Sequence, residues 1–336
     1  MTERVKHLGE FALIDRLIAA LPAEVRSNDR VCGAGDDCAW WQNSGDRTVV
    51  TADTMVAGVH FRLDWTDWRS LGHKLLAVNL SDLASMGAAP KLAIVTLALT
   101  GDELVADLED MYRGMGELAA IYGVVIAGGD IVRTQGPQVF NLTAIGEVGV
   151  GQSLMTRAAA RSGDAILVSG TLGASAAGMR LLAEPNPEAK SADLLIADHL
   201  RPSPRISLGR LLASSGVRCC MDLSDGLAGD LPKLLTASGV GAIVDTTLIP
   251  VAPAVHANFP DLWLDLAIRG GEDYELLFTV SPDQVAALQV AARDVGATLT
   301  PIGQITVEPG LIWLDELHHP VRLDVGAWDH FEHSND

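Results

Sequence analysis

Hydrophobic and polar positions along the chain switch between a two-residue and a helical period. Residues 49–54 are β-branched and bounded by polar positions, which predicts a strand ending in Asp53. Residues 69–86 carry Leu71, Leu75 and Val78 on one face and predict a helix. A strand is expected at 91–99. A helix is expected at 102–122, where Leu104, Leu108, Met111, Met115 and Leu118 keep helical spacing. Gly123 is its expected stop, followed by strands at 124–127 and 139–148.

Polarity rises over 149–163, which marks a junction between two domains, 1–150 and 151–336. The second half predicts a strand at 165–168, a small-residue helix at 172–182 and an exposed loop at 183–193 containing Pro185 and Pro187. A helix at 206–214, a strand at 218–222, a helix at 226–237 and a strand at 274–280 follow. Pro282 is expected to start a helix carrying Val285, Leu288 and Val295. The order is α+β (mixed α/β) in each half, without the strict alternation of a doubly wound sheet.

Composition narrows the function. The 336 residues are 48% hydrophobic and 20% charged, as expected of a folded protein with a sizeable core. The longest apolar run considered, 92–99, has only a strand's length, and Glu3, Arg4, Lys6, His7 and Glu10 break the order of a signal peptide. No membrane association is expected, and the setting is read as cytoplasmic. Cys219 and Cys220 are adjacent within an apolar run and read as buried thiols. With 24 Lys and Arg against 43 Asp and Glu, the net charge of −19 argues against a nucleic-acid partner. The same acidity suits a protein whose carboxylates hold divalent cations that in turn hold phosphates.

The carboxylates fall at the ends of elements and beside glycines. Gly35-Asp36-Asp37, Thr51-Ala52-Asp53-Thr54, Asn79-Leu80-Ser81-Asp82, Gly128-Gly129-Asp130, Asp222-Leu223-Ser224-Asp225-Gly226 and Gly270-Gly271-Glu272-Asp273-Tyr274-Glu275 share this placement. Such hard oxygen donors suit Mg²⁺, and several sites of this kind suit phosphoryl transfer. Lys74, Arg133, Arg157 and Arg269 are candidate partners for phosphate oxygens. Each piece also has a plain structural reading. Ser224 or Asp225 would cap the next helix, and Asp36 and Asp37 would serve a turn. Gly128-Gly129-Asp130, closing a strand, would be a turn too, although its double glycine favours close approach to a phosphate. His60 would be a packed histidine and Trp328 a terminal anchor. Asp82 resists such a reading, since a lone carboxylate on an apolar helix face is costly; Asn79, one turn earlier, would share its ligand. No P-loop, protein-kinase signature or His-Glu-x-x-His is present.

In order along the chain, these motifs resemble those of the thiamine-monophosphate kinase family, within the aminoimidazole ribonucleotide synthetase-like superfamily. Gly9-Glu10-Phe11, Gly58-Val59-His60-Phe61, Lys74 to Asp82, His199-x-Arg201-Pro202-x-Pro204-Arg205 and Trp328-Asp329-His330-Phe331 complete the set. The resemblance implies a two-domain fold whose N-terminal sheet domain pairs with its copy in a homodimer, beside a C-terminal α+β domain. It implies direct transfer of the ATP γ-phosphoryl group to thiamine monophosphate with no phosphoenzyme. By motif it assigns Asp37, Thr51, Asp53, Asp82, Asp130, Asp222 and Asp225 to Mg²⁺. Ala52 stands where a hydroxyl residue is usual and would reach a metal only through its carbonyl. Gly129, Asp130, Arg157 and Ser224 are assigned to ATP, and His60, Glu272 and Trp328 to the thiamine end, where an aromatic face and a carboxylate suit a cationic ring. The alternatives are a selenophosphate or aminoimidazole ribonucleotide synthetase, and a non-catalytic nucleotide-binding module.

Overall fold

The computed structural model describes residues 31–32, 39–43 and 46–321. Asp37 and Trp328, like the motif at Gly9, lie outside them.

Two sheets organise the chain. The first has the order β1-β2-β3-β6-β4-β5. Its strands are β1 (Val31–Cys32), β2 (Ala39–Asn43), β3 (Asp46–Val56), β4 (Ala89–Leu99), β5 (Val125–Arg133) and β6 (Val139–Val148). Neighbours are antiparallel except β4 and β5. The inner face of this sheet is covered by α1 (Trp68–Ser85) and α2 (Val105–Tyr122). Asp67 caps α1 by accepting from the Ser70 amide at 2.8 Å.

The second sheet has the order β13-β12-β9-β11-β7-β10-β8. Its strands are β7 (Ala165–Ser169), β8 (Cys219–Asp222), β9 (Gly241–Asp245), β10 (Leu276–Val280), β11 (Leu299–Thr306), β12 (Gly310–Leu314) and β13 (Pro320–Val321). Its helices are α3 (Ala174–Ala183), α4 (Ala192–Leu200), α5 (Ile206–Ser214), α6 (Leu227–Ser238), α7 (Pro253–Asn258), α8 (Trp263–Arg269) and α9 (Val285–Arg293). Cys219 and Cys220 are buried in β8.

Helix α1 is buried around most of its circumference, polar Ser70, Lys74, Asn79, Ser81 and Ser85 included. A helix enclosed in this way is a core element with layers on more than one side. Leu71, Leu75 and Leu80 belong to one apolar cluster with Ile206 and Leu212 of α5, Cys220 of β8 and Phe278 of β10. The core therefore runs without a break from the first sheet through α1 into the second.

Several expected boundaries shift for identifiable reasons. Helix α2 starts at Val105 rather than 102, because Glu103 folds back to accept from the Thr100 and Gly101 amides, each at 2.9 Å. Gly123 ends it in the left-handed conformation, φ 69°. Strand β5 does not close at Gly128-Gly129-Asp130; its pairing with β4 continues to Arg133 opposite Leu99. Gly129 permits this, since a Cβ there would lie 1.7 Å from the Val95 carbonyl oxygen. Part of the expected 183–193 loop is the first turn of α4. The helix expected from Pro282 opens as a 3-10 turn, Pro282–Gln284, and α9 ends before Val295.

Candidate functional site

The site forms where β3, α1 and β8 meet. Side chains alternate along β3, so Thr51 turns to the covered face of the sheet while Ala52 is exposed on the other. Asp53 follows Thr51 on the inner side, with Leu142 and then Val95, both buried, in its cross-strand row. On α1, Asn79 and Asp82 lie nearly one turn apart and reach β3 separately. The Asn79 amide oxygen accepts from the Asp53 backbone N–H at 3.1 Å, and the Thr51 hydroxyl donates to Asp82 Oδ2. Ser81, next to Asp82, donates to Asp222 Oδ2 at 2.6 Å across a span of 141 residues. Asp222 is the last residue of β8 and is 2% exposed.

Asp222 is buried, and Asp53 and Asp82 are half-buried beside it. Burial and the nearby Asp225 charge push Asp53 up to about 6. Burial, with Asp53 and Asp222 adding repulsion, pushes Asp82 well above the usual carboxylate range, against the Thr51 hydrogen bond. Asp222 rises to about 6, chiefly through burial, although the Ser81 hydroxyl and the Arg157 charge pull it down. The same carboxylates surround the buried Tyr274 phenol, which burial, then Glu272, Asp53, Asp222 and Asp82, hold well above its ordinary value. Such a group of hard oxygens, short of positive charge, fits a divalent cation of the Mg²⁺ type. Among the described residues no three His, Cys, Asp or Glu side chains stand in coordination geometry around one point. Sharing one or two carboxylates per ion with phosphates and water is the mode Mg²⁺ favours.

The loop after β8 is held from below. Asp230, fully buried on α6, accepts from the Ser224 and Asp225 amides at 3.0 and 2.9 Å. Lys233 donates to Asp225 Oδ2 at 2.5 Å and to Asp230 Oδ1 at 2.9 Å. Neither Ser224 nor Asp225 caps α6. That position belongs to Gly226, φ 83°, with no side-chain cap, because Asp225 is turned to Lys233. Asp230 and Lys233 escaped the sequence reading; their signal is acids five apart with a lysine one turn on.

A second loop is strapped onto the first. The Glu272 amide donates to the Ser224 carbonyl at 2.8 Å and the Tyr274 amide to the Leu223 carbonyl at 2.9 Å. Both residues lie in the left-handed region, φ 65° and 51°, where a side chain is disfavoured. The Glu272 carboxylate accepts from Lys74 Nζ at 2.9 Å. Lys74, expected to meet phosphate, is therefore engaged with an acid, its side chain 4% exposed. His60, near β3, accepts from the Val56 amide through Nδ1 at 3.1 Å.

The other candidates are spread out. Asp130 stands in a row of paired residues, Thr54, Asn141, Thr96 and Asp130, across β3, β6, β4 and β5. Three strand spacings separate the ends of that row by about 14 Å, and its face is opposite to that of Asp53. Gly129 is beside it on the same edge strand. Arg157 lies in a 3-10 turn near Asp222. Arg133 donates to the Thr100 carbonyl at 3.3 Å, and Arg269 pairs with Asp265 at 3.0 Å. The structure thus brings Thr51, Asp53, Asp82, Asp222, Ser224, Asp225 and Glu272 into one region and leaves Asp130 on another surface.

Residues 35–148 match the family described as AIR synthase related protein, N-terminal domain, and residues 161–313 its C-terminal domain. The chain is 43% identical over 331 residues to the thiamine-monophosphate kinase of Escherichia coli (strain K12), covering 96% of this chain and 98% of that one. The chain belongs to the thiamine-monophosphate kinase family. A solved structure, AaThiL complexed with AMPPCP and TMP, superposes with a TM-score of 0.85 at 29% identity, covering 98% of this chain and 99% of that one. The thiamine-monophosphate kinase of Stenotrophomonas maltophilia K279a superposes with a TM-score of 0.75 at 39% identity, covering 91% and 96%. The expected α+β fold is that of the thiamine-monophosphate kinase family, and the acidic region lies inside the matched segments. Among the described residues no helix is long and apolar enough to cross a membrane.

Proposed function

We propose that this chain transfers the γ-phosphoryl group of ATP to thiamine monophosphate, giving thiamine diphosphate and ADP. An oxygen of the acceptor phosphate forms the new bond to the γ-phosphorus. The bond from that phosphorus to the β,γ-bridging oxygen breaks, and its electron pair leaves on ADP. The observation that carries this reading is the cluster of mutually repelling acids Asp53, Asp82 and Asp222 in a chain 43% identical over 331 residues to a thiamine-monophosphate kinase.

In this reading Thr51, Asp53, Asp82, Asp222 and Asp225, with Asp37 and the Ala52 carbonyl, hold Mg²⁺. When bound, Mg²⁺ neutralises phosphate oxygens on donor and acceptor as charge moves between them. Asn79 and Ser81 keep β3 and β8 at fixed separation from α1, so the acids stay oriented without a covalent nucleophile. Ser224 and Arg157 meet ATP from the second half. His60, Glu272 and Trp328 meet the thiamine end, with Glu272 complementing its positive ring. Gly129 and Asp130 are assigned to ATP and metal on the family resemblance alone. Residues 1–150 form the nucleotide, metal and dimerisation domain, and 151–336 complete the substrate site. Pairing with a second copy is supported by the edge strand β5, which exposes Ile131 and Val132. A cytoplasmic setting belongs to the same proposal.

The test is product formation. The purified chain with ATP, Mg²⁺ and thiamine monophosphate should yield thiamine diphosphate and ADP in equal amounts, and free thiamine should yield none. A folded, ATP-binding sample that forms no diphosphate would overturn the reading.

A further inference from the structure

Glu272 is reached by groups from three directions. Lys74 of α1 donates to Oε2 at 2.9 Å, and Nδ1 of His199, on α4, lies 3.3 Å from the same oxygen. His60 adds a weaker electrostatic pull from the β3 side. The same nitrogen, Nδ1, shares a hydrogen bond of 3.1 Å with the Ser175 hydroxyl on α3. His199 is neutral, its pKa pressed down to about 4 by burial and by Lys74. Ser175 thus fixes the ring through the nitrogen that faces Glu272, and the imidazole edge rests against the carboxylate.

The arrangement is one-sided. Lys74 donates to Oε2 and the His199 ring lies against the same oxygen, while Oε1 accepts nothing from the described residues. The Glu272 side chain keeps 29% of its surface exposed, against 4% for Lys74 and 8% for His199. One oxygen is anchored and the other is left open. Burial raises the carboxyl, yet Lys74, then His199, outweigh it and leave Glu272 below its ordinary value. The backbone adds a second constraint, since the left-handed turn at Glu272 is tied to Ser224 at 2.8 Å.

We propose that Lys74 and His199 are positioning residues for the acceptor, clamping Glu272 from both halves of the chain so that its open oxygen meets the cationic ring of thiamine monophosphate. This rests on the reading of Glu272 as the acceptor's carboxylate. Lys74 donates its charge to Glu272, not to a phosphate. His199 sets the direction of the carboxylate, and Ser175 sets the direction of His199. Neither Lys74 nor His199 has a part in bond breaking.

The experiment is a cycle of variants read by acceptor binding and by steady-state kinetics. Calorimetry with thiamine monophosphate in the presence of AMPPCP reports binding without turnover, and KM is measured for each substrate. Glu272→Gln sets the scale, with acceptor affinity down about tenfold or more and the KM for ATP little changed. Lys74→Met should approach that loss, His199→Ala should give about threefold, and Lys74→Arg should recover most of the affinity. The Lys74→Met/Glu272→Gln double variant should bind no worse than Glu272→Gln to within about twofold, because the lysine acts only through the acid. If Lys74→Met fails to fold, the same cycle with His199→Ala decides. Unchanged acceptor binding in the positioning variants, with Glu272→Gln impaired, would overturn the clamp and spare the reading of Glu272. Glu272→Gln with normal acceptor binding would overturn that reading itself. Equal losses for ATP and acceptor would mark Lys74 and His199 as general structural supports and overturn the clamp.

Discussion

Two groups of buried and half-buried acids lie near one another in this protein and are treated in opposite ways. Glu272 and Glu275 face cations of the chain: Lys74 holds the first, and Arg205 holds the second through Nε at 2.8 Å and through its terminal nitrogen. Asp53, Asp82 and Asp222 stand chiefly against one another and hydroxyl groups, with the Arg157 charge acting on Asp222. Burying a carboxylate is expensive unless it is compensated. The first group meets that cost within the fold. The second leaves it to a ligand, and the difference separates acids that serve stability or positioning from acids that serve a reaction.

The contrast breaks most sharply at Asp82. Asp82→Asn should lower turnover by about a thousandfold while leaving metal-free stability unchanged or raised by about 1 kcal/mol, since it removes one of three repelling charges. Product assays beside urea unfolding in chelator would check both; a loss of several kcal/mol would place Asp82 with the structural acids. Arg205→Met should do the reverse and cost about 3 kcal/mol of stability by stranding Glu275, read by the same unfolding curves.

A pH series sharpens the comparison further. The folded pKa of His199, about 4, lies below its unfolded value of 6.5. Its contribution is therefore complete above pH 6.5 and is lost as pH falls toward 4, amounting to about 3 kcal/mol at most. Lys74 and Glu272 are the charged groups acting on the ring, and the first opposes its protonation. The stability difference between the native chain and His199→Gln should shrink across that window, and a flat difference would contradict a buried neutral ring. The smallest effect is expected from Thr51→Ala, which removes one donor from Asp82. Turnover should fall about tenfold and stability should change by about 1 kcal/mol or less.

The elements that frame the site were legible because their signals are local. Strand β6 runs over the expected span, α1 matches to within one residue at each end, and Gly123 stops α2 where its position implied. The elements that escaped have weak local signals. Strands β9 and β12 are short apolar runs after glycine, and α4 was hidden in a stretch beginning with prolines. The acidic motifs could be read one by one, but their partners could not. Lys74 meets Glu272 across 198 residues and Ser81 meets Asp222 across 141, distances over which no periodicity carries information. Asp130 teaches the converse. Its motif stands beside the others in the sequence pattern, yet the register of β5 sets it on the far face of the sheet.

The enclosure of α1 also bears on how the protein comes apart. A helix whose leucines sit in a core shared by two sheets couples the loss of one sheet's packing to the loss of the other's. Heating should give one calorimetric peak with matching van't Hoff and calorimetric enthalpies. Hydrogen exchange in β4 and β10 should proceed through the same opening event, two sheets melting as a single cooperative unit around one helix.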